Sequence, residues 1–208
     1  MEKKTLHAAE QHREDVAEER EEWKKLQEVV DVERLVFIDE TWTKTNMTPQ
    51  YGWAEMGKRV IDFVPHGHWK TTTFLAALRY DGLTAPMVID GAINGELFLA
   101  YVEQILLPTL KPDDIVVMDN LSSHKIEEVK KMIESVGAMV VYLPPYSPDF
   151  NPIEQVFSKL KTLVRKLKLR KMDELWQKLG ELCDVFSSEE CLNYFRNAGY
   201  SKVIQNPN

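Results

Sequence analysis

Short apolar runs that end in acidic or turn residues recur along this chain, separated by longer stretches with helical periodicity. The runs Arg34–Ile38, Ile115–Met118 and Ala138–Leu143 are of the first kind. Short apolar runs with polar residues on both sides are typical of buried strands. We therefore predict strands at these three places.

The region after the first run has the rhythm of antiparallel hairpins. Its apolar stretches are separated by Gly57, by a turn at 65–67 and by a turn at 81–82. Glycine and proline turns at such intervals favour hairpins. The predicted strands of this region are Tyr51–Glu55, Arg59–Val64, Thr71–Arg79 and Ala85–Ile89.

Helical periodicity, with apolar residues three or four positions apart, marks the remaining segments. The predicted helices are 6–30, 94–107, 123–136 and 153–169, with one or two more in 173–195. Asn151 and Pro152 suit the N-cap and the first position of the helix at 153. The first helix is strongly charged, and its pattern fits both a helix docked on one side and a solvated arm that tethers a partner.

Composition narrows the function classes. Of 208 residues, 44% are hydrophobic and 28% are charged, which excludes disordered and collagen-like chains. We find no leader-like segment and no run of about 18 apolar residues, so we expect neither secretion nor a membrane span. Cys183 and Cys191 lack metal-binding spacing and suit a reducing cytosol. The net charge is −7, yet residues 151–208 carry ten basic and seven acidic groups.

Three acidic residues stand at the ends of predicted elements. Asp39 follows the first strand, Asp119 follows the strand that ends at 118, and Glu154 lies in the first turn of a helix. If the two strands are neighbours, about 4.8 Å apart, the three carboxylates converge. Carboxylates that close repel one another unless a cation holds them, and such hard oxygen ligands suit Mg²⁺ or Mn²⁺. Taken singly, each acid is more typical of a turn, a cap or a helix-dipole partner.

The sequence around these acids resembles that of a known family. The segments are FIDET at 37–41, VVMDNLSSHK at 116–125 and YLPPYSPDFNPIEQVFSKLK at 142–161. They are similar, element for element, to the signatures of mariner-related DDE transposases, and most similar to bacterial insertion-sequence transposases of the six-thirty group. The third segment is the most specific, and 34 residues separate Asp119 from Glu154 as in many of these families.

This resemblance implies an α/β chain with a ribonuclease-H-like fold, a mixed five-stranded sheet with helices on both faces. It implies that Asp39, Asp119 and Glu154 are catalytic and ligate two Mg²⁺ or Mn²⁺ ions. The implied reaction is cleavage at transposon ends, followed by joining of the freed 3′-hydroxyl to target DNA. Two alternatives stay open: a ribonuclease-H-like nuclease that cuts without joining, and a non-catalytic dimerising fragment that regulates a full-length transposase.

The resemblance also bears on domains and partners. We expect a charged helical arm at 1–33, a catalytic domain at 34–170 and a helical extension at 171–208 packed on that domain. Complete relatives carry an N-terminal helix-turn-helix region that reads the terminal repeats. The resemblance leaves two alternatives open: such a region is encoded by an upstream frame, as a separate partner or a frameshift fusion, or the element is decayed. Pairing of two transposon ends implies a homodimer in the active complex. We expect it to act on transposon-end and target DNA in the bacterial cytoplasm, with no membrane partner.

Three neighbours of the acids are candidate supporting residues. Glu40 follows Asp39 on a strand and is expected to point to the opposite face. Asn120 and His124 follow Asp119 in the family pattern. His124 either orients a metal-bound water or a phosphate, or caps the helix that begins near 123.

Two groups of cations are candidates for DNA contact. Lys58, Arg59, His68 and Lys70 lie in the hairpin region, whose tryptophans we expect in the core. A denser basic run follows Glu154, and a solvated helix face is its alternative explanation. The run consists of Lys159, Lys161, Arg165, Lys166, Lys168, Arg170 and Lys171.

Overall fold

The centre of the fold is a mixed sheet. The computed structural model describes residues 8–64, 67–120 and 127–201. Within them five strands form one sheet: β1 (Leu35–Lys44), β2 (Thr71–Arg79), β3 (Gly82–Asp90), β4 (Ile115–Met118) and β5 (Met139–Tyr142). The spatial order is β3-β2-β1-β4-β5, in which β1 to β3 are antiparallel and β4 and β5 run parallel to β1. The strands β2 and β4 have the bounds predicted from the sequence.

Helices cover both faces of this sheet. In the described residues they are α1 (Glu14–Val29), α2 (Gly95–Tyr101), α3 (Glu127–Ser135), α4 (Ile153–Leu167), α5 (Met172–Cys183) and α6 (Ser188–Asn197). The predicted helix at 94–107 is observed as α2 followed by a π-helical turn. The predicted start of the helix at 123 falls outside the described residues.

Alternate residues of β1 enter two separate cores, as the two-residue period of a strand requires. Leu35 and Phe37 pack with residues of α4, α5 and α6, whereas Val36 and Ile38 pack with residues of α2 and α3. Both faces of the strand are buried, which explains its unbroken apolar run. Together with the strand order, this arrangement confirms the predicted α/β fold class.

The segment between β1 and β2 differs from the prediction. In its described part, residues 45–70 form no strand, so the strands predicted at Tyr51–Glu55 and Arg59–Val64 are wrong. Instead β1 extends to Lys44 and pairs directly with β2. In the described part of the chain no strand pairs with this segment, and although Met47 is buried, several of its other apolar residues are fully or largely exposed: Tyr51, Trp53, Met56, Ile61 and Phe63.

The N-terminal helix α1 docks on the rest of the chain. The buried Trp23 indole donates to the Tyr200 hydroxyl at 2.8 Å, and the Gln27 amide donates to the Ala198 carbonyl at 2.8 Å. Gly199 has a φ of 97°, and an added Cβ there would approach the Gln27 amide to 3.1 Å. Of the two alternatives for this segment, the docked helix is the one observed.

The remaining sequence expectations concern membranes and thiols. No helix among the described residues combines the length and apolar character that crossing a bilayer requires. Cys183 and Cys191 are free thiols, in α5 and α6 respectively. Burial raises the pKa of each thiol to about 11.

Candidate active site

The parallel pairing of β1 with β4 brings Asp39 and Asp119 to one end of the sheet. Phe37 pairs with Val117. The same register, continued two residues further, sets Asp39 level with Asp119. Both aspartates then share the face of Phe37 and Val117, which is the face that α4 covers. The two strands are therefore neighbours, which is the condition under which the sequence predicted convergence of the acids.

The start of α4 supplies the third acid. Glu154 lies in the first turn of α4, and its side chain is accessible to solvent. Residues 143–152 connect β5 to α4 and include a short 3-10 turn at Pro148–Phe150. A cavity of about 590 Å³ is lined by Asp39, Asp119 and Glu154, together with Asn120, Asn151 and residues 143–148. The three acids therefore share one cavity.

Asn151 holds the buried carboxylate of Asp39. Its side-chain amide donates to Asp39 Oδ2 at 2.9 Å, and the Glu40 backbone N–H donates to Asp39 Oδ1 at 2.7 Å. The sequence prediction assigned Asn151 to the N-cap of α4 and Pro152 to its first position, but Pro152 is the N-cap, and Asn151 Oδ1 accepts no hydrogen bond from the described residues. The prediction therefore missed Asn151 as a site residue, although its fixed place before Glu154 in the Asn-Pro-Ile-Glu element was the available signal.

The acids perturb one another electrostatically. Burial raises the pKa of Asp39 well above its usual value, and the charges of Glu154, Glu40 and Asp119 raise it further. Partial desolvation raises the pKa of Glu154, an effect that Lys161 opposes and Asp119 reinforces. Burial lowers the pKa of Lys161, whose charge is favoured by Glu154 and Asp39. Without a cation, the ionised cluster is therefore unfavourable.

The donor set fits a hard divalent cation. Three carboxylates face one cavity, and Asn151 adds a buried Oδ1 that accepts no hydrogen bond from any described residue. Oxygen donors of this kind suit Mg²⁺ and Mn²⁺. Within residues 8–64, 67–120 and 127–201, however, no three His, Cys, Asp or Glu side chains meet closely enough to hold a metal ion. The three acids thus share a cavity, but their side chains do not meet around a single metal position in the described residues.

The structure places two of the three predicted neighbours. Glu40 is half-buried and follows Ile38 on the face of β1 opposite Asp39, as the strand period predicted. Asn120 is exposed and lines the cavity. His124 lies outside the described residues, so its predicted role stays a prediction.

The first group of predicted DNA contacts lies in the segment between β1 and β2. Lys58, Arg59, His68 and Lys70 are all exposed. Lys58 forms an ion pair with Glu55 of the same segment. The neighbouring tryptophans were expected in the core, but Trp42, Trp53 and Trp69 are 51%, 102% and 52% exposed.

The second group, the basic run, divides according to its partners. Lys159 pairs with Glu190, Lys168 with Asp62 and Lys171 with Glu174. The Arg170 guanidinium donates to the Thr45 and Met47 carbonyls at 3.0 and 2.9 Å. Lys161 lies near the acids, and Arg165 and Lys166 form no ion pair with the described residues. Several cations of the run therefore stabilise the fold itself.

The chain belongs to the DDE superfamily endonucleases. The family model of that name matches residues 34–176, which include all five strands and the three acids. A comparison with curated protein sequences finds no match. Fold and sequence motifs thus agree on the family, although the bacterial insertion-sequence group rests on the motifs alone.

Solved structures with the same fold include those of the Mos1 mariner transposase. The Mos1 paired-end complex with the left transposon end has a TM-score of 0.76 at 15% identity, over 96% of this chain and 63% of that chain. The Mos1 paired-end complex with Mn has a TM-score of 0.77 at 16% identity, over 96% of this chain and 64% of that chain. The isolated Mos1 catalytic domain has a TM-score of 0.69 at 16% identity, over 95% of this chain and 93% of that chain. The present chain thus spans less than two thirds of the Mos1 chain in the paired-end complexes.

Proposed function

We propose that this chain is the catalytic domain of a bacterial insertion-sequence transposase, which cleaves DNA strands and joins the freed 3′-hydroxyl to target DNA. The observation that carries the proposal is the cavity shared by Asp39, Asp119 and Glu154 at two neighbouring strand ends and a helix start. Membership of the endonuclease family supports it. The likeness to transposases solved with transposon-end DNA and with Mn or Mg adds support.

The acids and their nearest polar neighbours have distinct roles in this proposal. Asp39, Asp119 and Glu154 would hold two Mg²⁺ or Mn²⁺ ions, which when bound activate the attacking hydroxyl and stabilise the leaving oxygen. Asn151 and the Glu40 N–H fix the orientation of the Asp39 carboxylate. Lys161 places a positive charge beside the acids, where it would attract the phosphate of the strand. Water and a DNA 3′-hydroxyl are the nucleophiles, so no covalent protein intermediate forms.

The partners follow from the proposed reaction. Two transposon ends must be held together, so we propose a homodimer in the active complex and a helix-turn-helix partner or region that reads the ends. Of the cations predicted to contact DNA, Lys161, Arg165 and Lys166 are the best placed. They lie on α4 downstream of Glu154 and are not engaged in ion pairs with described residues.

The two alternatives lead to different products. A nuclease without joining activity would give hydrolysis products only. The dimerising-fragment alternative needs an apolar face of α1 for a partner chain, but α1 buries Val16 and Trp23 against its own chain. That burial favours the enzymatic alternatives.

The test measures cleavage and joining together. The full chain is incubated with supercoiled plasmid and a labelled short duplex with a free 3′-hydroxyl, in Mg²⁺ or Mn²⁺. We expect nicked plasmid and plasmid joined to the label, and loss of both with Asp119→Asn. Asp184→Asn is the matched control, because Asp184 is exposed and outside the cavity. Undiminished activity in Asp119→Asn would refute the assignment, and cleavage without joining would favour the nuclease.

A further inference from the structure

Two exposed tryptophans and a lysine form a platform beside the candidate active site. The Lys44 ammonium lies 4.6 Å from the ring centroid of Trp42 and 5.6 Å from that of Trp69. Lys161, from α4, lies 5.0 Å from the same Trp42 ring. Trp42 and Trp69 are 51% and 52% exposed, although indole rings of this size are normally mostly buried. We refer to Trp42, Lys44 and Trp69 as the tryptophan platform.

The platform borders a concave surface rather than a flat one. A cavity of about 440 Å³ is lined by Trp42, Lys44, Thr71, Thr73, Gly91 and Ala92. Trp42 pairs with Thr73 and Lys44 with Thr71 across the β1–β2 ladder, so these four residues form its floor. An added Cβ at Gly91 would meet nothing within 4 Å. This volume falls within the range of about 300–1,000 Å³ typical of small-ligand sites.

The platform lies further along β1 than Asp39, and its residues Trp42 and Lys44 share the face of Glu40, opposite to that of Asp39. Trp42 follows Asp39 by three residues on β1, or roughly 10 Å at about 3.3 Å per residue. Lys161 follows Glu154 by two turns of α4, again about 10 Å. In the described part of the chain β4 pairs with β1 only as far as Phe37, so from Ile38 onward this side of β1 has no partner strand. Lys161, on the same helix as Glu154, reaches the Trp42 ring around this side of β1. A DNA strand that leaves the acids around the same side of β1 would therefore meet the platform within about three nucleotides.

The cation of the platform, Lys44, is available to a ligand. Lys58, Lys159, Lys168 and Lys171 are each paired with a carboxylate. Lys44 instead forms no ion pair with the described residues and rests on aromatic rings. A base stacks on an indole more strongly than an exposed ammonium does. An arriving base would thus displace Lys44, which could then contact the adjacent phosphate.

We propose that the tryptophan platform binds an unpaired base of the DNA strand held at the active site, by stacking on Trp42 and Trp69 with Lys44 on the neighbouring phosphate. Unpaired strands suit such a surface because every base has an aromatic face, whereas the bases of a duplex are already stacked. This inference rests on the proposed function, since it takes the strand at the acids to be DNA. It adds a preference for single-stranded DNA next to the reacting phosphate.

Binding without metal ions tests the platform separately from catalysis. Fluorescence anisotropy of a labelled 12-nucleotide oligothymidylate and of a matched 12-base-pair duplex is measured in EDTA with the full chain. We expect Trp42→Ala to weaken oligothymidylate binding about tenfold and duplex binding less than twofold, consistent with the loss of one stacked base. Trp42→Phe should retain most of the affinity. Trp53→Ala, which removes a fully exposed indole outside the platform, should change nothing.

Three results would overturn the proposal: unchanged oligothymidylate affinity in Trp42→Ala, an equal loss for the duplex, or an equal loss in Trp53→Ala. Photocrosslinking of the unaltered chain to oligonucleotides that carry 5-iodouracil provides a second measurement if a variant fails to fold. Crosslinks at Trp42 or Trp69 are expected, and crosslinks only elsewhere would refute the assignment. If the chain cleaves no DNA yet binds oligothymidylate through Trp42, the proposed function fails while the platform stands.

Discussion

Arg20 ties helix α1 to the loop that leads into the candidate active site. Its guanidinium donates to both carboxylate oxygens of Asp149, at 3.0 and 2.7 Å, and to the Ser147 hydroxyl at 2.7 Å. It also lies 4.2 Å from the ring centroid of Phe150. In the same loop Tyr146 has a φ of 56°, a left-handed conformation that bulky residues adopt only under constraint. Arg20 is therefore expected to fix the conformation of this loop.

The effect of Arg20→Ala on stability can be worked from these contacts. The Arg20 side chain is 13% exposed and that of Asp149 is 42% exposed, so solvent screens part of the ion pair. With the Ser147 hydrogen bond and the ring contact included, we expect a loss of about 2–3 kcal/mol in the free energy of unfolding. At about 2–4 °C per kcal/mol, the melting temperature should fall by roughly 4–12 °C. Urea unfolding followed by circular dichroism measures the loss.

The matched control and the activity measurement separate positioning from general destabilisation. Arg13→Ala removes an arginine of the same region whose pair with Asp15 is exposed on both sides, and it should not change stability measurably. At a temperature where Arg20→Ala remains folded, it should require more Mn²⁺ for half-maximal cleavage and show faster amide hydrogen exchange at residues 144–151. Compared with Arg20→Ala, Arg20→Lys should partly restore the low Mn²⁺ requirement and the slow amide exchange.

A double-mutant cycle with Asp149→Ala provides the strictest test of this reasoning. Because Arg20 and Asp149 contact each other directly, their effects should not add, and we expect a coupling of about 1 kcal/mol or more. Additive effects, or a loss below about 0.5 kcal/mol in Arg20→Ala, would show that α1 does not support the loop.

Three further predictions concern the buried polar groups. Asn151→Ala should raise the Mn²⁺ requirement for cleavage about 10–100-fold, whereas exposed Asn193→Ala should not, and an equal effect of both in metal titrations would refute this. Because the raised pKa of Asp39 means that the native state holds this proton more tightly than the unfolded state, the contribution of Asp39 to metal-free stability should be full below the ordinary pKa of about 3.9 and be lost as pH rises through the raised value. Thermal melts should show that Mg²⁺ or Mn²⁺ restores the lost stability at neutral pH. If Asp39→Asn left the dependence of stability on pH unchanged, the reasoning would be contradicted. Arg79→Leu leaves Asp114 buried without its ion-pair partner and should lower the free energy of unfolding in urea by about 3–5 kcal/mol. A loss below about 1 kcal/mol would contradict this prediction.

The fold could be predicted where each residue pattern has one structural solution. An apolar run such as Ile115–Met118 can be buried on both faces only inside a sheet covered by helices, and its length excludes a helix. The sequence put Asp39 and Asp119 at strand ends, and their proximity followed only if those strands were parallel neighbours, which the structure shows. The strand register itself did not follow from the pattern and came from the pairing of Phe37 with Val117.

Asn151 shows what local patterns cannot predict. An asparagine before a proline at a helix start is favoured at the N-cap, because its side chain can accept a backbone N–H. In the structure that side chain donates to Asp39 instead, 112 residues away in sequence. Burying the Asp39 carboxylate without a donor would cost more than leaving one helix N–H uncapped. The tertiary requirement therefore overrides the local preference.

The basic run shows a second reason why the sequence prediction falls short. A sequence gives the number of charges but not their partners, and an ammonium that is already paired gains little from a phosphate. Lys168 pairs with Asp62, and Arg170 binds the Thr45 and Met47 carbonyls, so both hold the segment between β1 and β2 against the end of α4. If these two residues serve the fold, Arg170→Ala should lower stability and leave the salt dependence of DNA binding unchanged. Lys166→Ala, by contrast, should lower that salt slope by about one unit without affecting stability. The opposite pattern would show that the partners seen in the structure do not decide which cations meet DNA.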